Sequence, residues 1–246
     1  LWSMLSLVTN FTYLISIVHL IVSHSSENRY SASRVFDIAS GVISAINGLT
    51  ITNTYDGSNG TPGGGGISNE GVFTLNNSII TGNTVYHNAI DFYGNTNGDG
   101  GGIYNTGSLT VNYSTISNNS ASDVLSANGD GGGIYNTGSL TVNYSNITGN
   151  TTGDGGGIYS DQDLKTDIKP NSVSVNYSTI SHNSSAESGG GIYLYDGQVN
   201  YSIITNNSAG DRGGGILLLP VRPFFRELEK MEGKKYTKGN IPKKHT

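Results

Sequence analysis

The sequence predicts an all-β protein, a right-handed single-stranded parallel β-helix of about 24 residues per coil with loop insertions. Three observations carry this. The eighteen residues NGDGGGIYNTGSLTVNYS occur twice without a change, at 97–114 and 128–145. An isoleucine follows each glycine run, at Ile67, Ile103, Ile134, Ile158, Ile192 and Ile216, in steps of 36, 31, 24, 34 and 24 residues. Between the glycine runs, apolar and polar residues alternate, as in Leu109-Thr110-Val111, which is the period of a strand with one face buried.

In chain order, residues 1–32 form an apolar N-terminal segment that opens LWSMLSLVTNFTYLISIVHLIVS. Two readings stand side by side: a signal or membrane-anchor remnant, or a first coil that caps the stack. Residues 33–216 are the β-helix. Setting insertions aside aligns the columns Phe73, Leu109, Leu140, Val173; Leu75, Val111, Val142, Val175, Val199; and Ile80, Ile116, Ile147, Ile180, Ile204. A polar column holds Asn83, Asn119, Asn150, Asn183 and Asn207. Each unit then contains about three short strands joined by Gly, Asn and Ser turns. One such unit cannot bury its apolar side alone. Stacking the units buries it, with like side chains lying over like, which explains why the text repeats. The stretches VYHNAIDFYGNT, SDVLSA and DLKTDIKPN are insertions leaving at corners. Residues 217–246 abandon the repeat for a basic tail, a short helix or a disordered terminus, too short for an outer-membrane barrel.

Charge restricts the partners. From 41 to 216 there are thirteen carboxylates and only three cations, Lys165, Lys169 and Arg212. An acidic body argues against nucleic acid, because phosphate binding needs a cationic surface. With no cysteine, disulfides and thiol chemistry are excluded.

The runs GGGGISNEGVFTLNNSIITGNT, GGGIYNTGSLTVNYSTISNNSA and GGGIYLYDGQVNYSIITNNSA resemble the repeats of bacterial surface β-helix proteins, the polymorphic outer membrane protein-like and autotransporter adhesin-like passengers of the pectin-lyase-like superfamily. The stretch SRVFDIASGVISAINGLTITNT resembles the start of such a stack, so the likeness covers roughly 33–216. It implies an exported protein at the cell surface or outer membrane, non-enzymatic, monomeric, and presenting a rigid solenoid for adhesion to polysaccharide or a host cell-surface protein. Membrane association would run through the N-terminal or missing segments alone. Since one scaffold serves many functions, two alternatives stay open: a polysaccharide lyase or glycoside hydrolase of the pectin-lyase-like type, and a truncated gene product without its own role. The hydrolases of that fold resemble one another in a Gly-His-Gly segment with clustered Asp, whereas His19, His24, His87, His182 and His245 are isolated here.

Two sets of residues are candidate sites. Tyr104, Tyr135, Tyr159 and Tyr193 follow the inward isoleucines, so alternation points them outward as a row that could meet sugar rings. Ordinary cross-strand pairing explains the same residues. Asp99, Asp130 and Asp154 share the position ahead of three glycines and are the candidate calcium ligands. Turn preference explains them equally. A second column, Tyr113, Tyr144, Tyr177 and Tyr201, shares parity with the buried Val111, which places it at a bend or partly buried, as a poorer binding surface. The repeat also creates Asn-x-Ser sequons at Asn112, Asn143, Asn176 and Asn200.

Overall fold

The computed structural model describes residues 34–56, 63–87, 99–123, 129–160 and 172–219, together with the backbone of 12–23. Every strand pairing among them is parallel, and each strand pairs with its counterpart one coil away. A coil holds four strands rather than three, as in Ile103–Asn105, Ser108–Asn112, Thr115–Ser117 and Ser120–Asp123. The first belongs to a seven-stranded sheet and the last to a six-stranded one. The middle two belong to one twelve-stranded sheet, because the ten-residue strand Ile43–Thr52 pairs with both Val72–Asn76 and Ile79–Thr81 and joins the two ladders. We call the seven-stranded sheet the first face, the twelve-stranded sheet the second and the six-stranded sheet the third.

The register follows the columns of the sequence. Ile103 pairs with Ile67 and Ile134, Val111 with Leu75 and Val142, and Ile116 with Ile80 and Ile147. All of these side chains are buried in one continuous core. Stacking identical branched residues at strand spacing fills the interior evenly and removes their apolar surface from water. On the third face the inward positions shrink from Val85 and Ala121 to Thr152 and Ser185.

The glycine triplet has two separate causes. Its first member, such as Gly100 at φ 69° or Gly131 at φ 66°, occupies the left-handed region. Its second and third members lie where backbones touch: a Cβ on Gly101 would meet the Gly132 carbonyl oxygen at 2.5 Å, and one on Gly102 would meet the Gly133 oxygen at 2.7 Å. The chain therefore turns tightly and lets the next coil settle directly on it.

The backbone of Thr12–Ser23 forms a strand parallel to Ile43–Thr52, with a register shift between Ser16 and Leu20, which is the position of a coil ahead of the stack. Behind it, Arg34 reaches the fully buried Asp56 at 3.2 Å and ties the start of the solenoid together across 22 residues. The three insertions lie largely outside the described residues, and pairing resumes in register beyond each, as when Val173 pairs with Leu140. The last described strand is Ile216–Leu218, two residues past the expected end of the repeat, and the basic tail from 220 on lies outside the described residues. No helix among the described residues is long and apolar enough to cross a membrane.

Candidate functional site

Each coil exposes what its turns push outward, so the candidate surfaces begin with the turns. The inner corner after Thr115–Ser117 is held by the asparagine column. Asn119 Oδ1 accepts from both the backbone N–H and the Nδ2 of Asn83, at 3.0 Å each. Its own Nδ2 donates back to the Ile80 carbonyl and forward to Asn150 Oδ1, again at 3.0 Å. The pattern repeats through Asn150, Asn183 and Asn207. Every buried amide thus finds partners in the coils above and below, which is what makes a polar column tolerable in the core. A second buried ladder runs from Asn69 through Asn105 and Asn136 to Ser160.

The Asn-Tyr-Ser bend splits the second face. Asn112, Asn143, Asn176 and Asn200 form an outer amide ladder with steps of 2.9–3.0 Å. Ser114 Oγ donates to the Asn112 carbonyl at 2.8 Å and accepts the Ser78 N–H at 3.1 Å. The Asn and Ser of each sequon are accordingly positions that the bend itself requires. Between them the tyrosine is left-handed: Tyr113, Tyr144, Tyr177 and Tyr201 have φ of 50°, 49°, 50° and 50°. The corresponding residue of the two preceding coils is Gly48 or Asn77, the types that tolerate this conformation best.

The left-handed step breaks the alternation, so these tyrosines point away from the core despite sharing parity with Val111. They are 62, 51, 51 and 82 % exposed in chain order. Their rings stack at 5.0 Å with interplanar angles of 7°, 5° and 10°. A tyrosine in this conformation costs about 1–2 kcal/mol, and a ring pair contributes about 0.5–1.5 kcal/mol. Three pairs, about 1.5–4.5 kcal/mol, therefore recover only part of the roughly 4–8 kcal/mol of four strained residues, leaving no gain over the Asn of the earlier coil.

The row on the first face is stacked but more enclosed. Tyr104 and Tyr135 lie 5.0 Å apart, Tyr135 and Tyr159 5.4 Å, and Tyr159 and Tyr193 4.7 Å. Tyr104 and Tyr135 are half-buried, whereas Tyr159 and Tyr193 are each only 9 % exposed, with Tyr195 edge-on against Tyr193 at 5.9 Å. The expected outward row is therefore largely covered at its C-terminal half, and the better exposed row is the one at the bend. Burial, then Asp99 and Glu70, push the Tyr104 hydroxyl up to about 12, with Arg34 opposing. Burial and then Tyr195 raise Tyr193. Both hydroxyls stay protonated and act as hydrogen-bond groups.

The aspartates carry backbone contacts. Asp99 Oδ1 accepts the Asp130 N–H at 3.2 Å, and Asp154 Oδ1 accepts the Ser188 N–H at 2.6 Å. Each carboxylate thus completes the strand-like contact to the next coil. Burial raises the Asp154 carboxyl above its usual range, the Ser188 N–H lowers it, Glu187 raises it, Arg212 lowers it and Asp211 raises it. Among the described residues no group of three or more His, Cys, Asp or Glu gathers to hold a metal ion. His182 is exposed, with Nε2 3.2 Å from Asn206 Nδ2.

Sequence reasoning ranks the bend row as the poorer surface, which its exposure reverses, and misses the Arg34–Asp56 pair. The pair is two isolated letters, with no pattern to connect them. The bend does leave a signal: one column runs Gly48, Asn77, Tyr113, and its first two members are the residue types of a left-handed position.

Comparison with known proteins adds one finding. Residues 113–137 and 177–195 match the Chlamydia polymorphic membrane protein repeat. Each matched segment starts at a bend tyrosine and runs through the asparagine corner and the glycine triplet to the first-face tyrosine or just beyond it. The chain is therefore similar to that family in its repeat, which suggests an outer-membrane surface protein. No curated protein and no solved structure matched the chain.

Proposed function

We propose that the chain is a non-enzymatic, exported surface protein whose β-solenoid is a rigid display for adhesion, contacting polysaccharide or a partner protein on another cell. The observation that carries this reading is the match of its repeat to the polymorphic membrane protein repeat. Physical features agree with it. The hydrogen-bonded amide ladders and close-packed glycine turns hold every coil in register, so outward residues recur at fixed spacing. Repeated weak contacts on such a surface sum to useful avidity when the opposing surface also repeats.

Beads coated with the full chain should adhere to cultured epithelial cells in excess of albumin-coated beads, and soluble chain should compete. Equal adhesion of both bead types would overturn the reading. An antibody against the chain should label intact producing cells without permeabilisation. Labelling only after lysis would refute surface exposure.

A further inference from the structure

Four successive coils place a bulky aromatic where the backbone favours glycine or asparagine, and where two earlier coils use Gly48 and Asn77. Strained backbone at a bulky, exposed side chain persists only where the surrounding structure holds it, and it is a ground for a functional hypothesis. We propose that Tyr113, Tyr144, Tyr177 and Tyr201 form a docking line for an uncharged glycan chain lying along the solenoid axis. This deepens the adhesive reading above and rests on it.

Geometry decides the mode of contact. The ring faces are spent on one another at 5.0 Å, so a ligand meets ring edges and one hydroxyl per coil, together with the outer face of Tyr201. A tyrosine hydroxyl both donates and accepts, as sugar hydroxyls do. Its ring has few torsions to immobilise, which keeps the entropic cost of binding low. Beside the row runs the amide ladder of Asn112, Asn143 and Asn176, which offers further neutral donors and acceptors.

Charge decides the class of ligand. Residues 100–122, 131–153, 172–181 and 197–210 contain no Asp, Glu, Lys, Arg or His. A charged polymer finds no counter-charge along this line, whereas a neutral polyhydroxylated one is complementary to it. A folded protein partner would seek an apolar centre in which to bury an anchor residue. The bend offers instead a narrow line of ring edges with one hydroxyl per coil, its exposed aliphatic neighbours Ile79 and Ile203 lying at the two ends of the row rather than gathered at a centre.

The test is native affinity electrophoresis of the full chain through gels containing hydroxyethyl cellulose, a soluble β-1,3-glucan, a galactomannan or polygalacturonate. At least one neutral glycan should retard the chain, and polygalacturonate should not. The triple variant Tyr113→Asn, Tyr144→Asn, Tyr177→Asn should lose about tenfold or more in affinity, with an unchanged far-ultraviolet spectrum. The corresponding triple Tyr→Phe variant keeps the rings and should also lose retardation, which separates a lost hydroxyl from a lost fold. Tyr104→Phe with Tyr135→Phe should bind normally. The inference falls if no neutral glycan retards the chain, if only polygalacturonate does, if both triple variants bind like the parent, or if the row serves self-association. Should coated beads adhere to cells while no neutral glycan binds, this inference alone fails and the adhesive reading stands.

Discussion

Asn150 shows how much one side chain can carry in a solenoid. It accepts two hydrogen bonds from Asn119, and its Nδ2 donates to the Ile116 carbonyl and to Asn183. Asn150→Ala leaves the Asn119 N–H, the Asn119 amide and the Ile116 carbonyl without these partners in the core. Urea denaturation should register a loss of about 4 kcal/mol; a loss below about 1 kcal/mol would mean that water replaces the ladder. Asp154 gives a pH-dependent case. Its folded carboxyl is raised above 3.8, mainly by burial. The folded state therefore holds the proton more tightly than the unfolded state does, and stability present in acid is lost as pH rises through the folded value. Asp154→Asn keeps the Oδ1 acceptor for Ser188 while removing the charge. It should raise Tm by about 1–2 °C at neutral pH, solvent screening keeping the gain small, and give no gain well below pH 3.8. A gain that persists in acid would assign the effect to packing. The asparagine column is legible from sequence, because a buried asparagine can recur only where its neighbours satisfy it.

At the scale of the element, strand and turn differ in how openly they show their role. The strand columns carry the inward isoleucines without ambiguity, and Ile147→Ala should cost about 3 kcal/mol in urea unfolding by opening a cavity between coils. The bend is harder to read. Alternation predicts where a side chain points only while the backbone stays extended, and the φ of 49° at Tyr144 resets it. Tyr144→Asn loses two ring stacks and relieves a left-handed tyrosine, so its stability in thermal or urea unfolding should stay within about 1 kcal/mol of the parent. A large loss would show that the ladder at the bend is structural and would weaken its role in binding.

For the whole molecule, each coil touches only its neighbours, so stability should be close to a sum over coils. Deleting residues 134–157 removes one bare 24-residue unit and joins Gly133 to Ile158, the next residue of the same column. The shortened chain should keep its β spectrum, and its urea m-value should fall by roughly the share of one coil among the seven strands of the first face. An unfolded product would show that the coils are not interchangeable. Fold, register and inward columns were determined by the sequence alone, because in a stack of like on like the period of the text is the period of the fold. Which outer row stands free was decided only in three dimensions. Tyr104 and Tyr113 are equally tyrosine and equally periodic, and their difference lies in what covers one and in the left-handed turn that swings the other clear of the core.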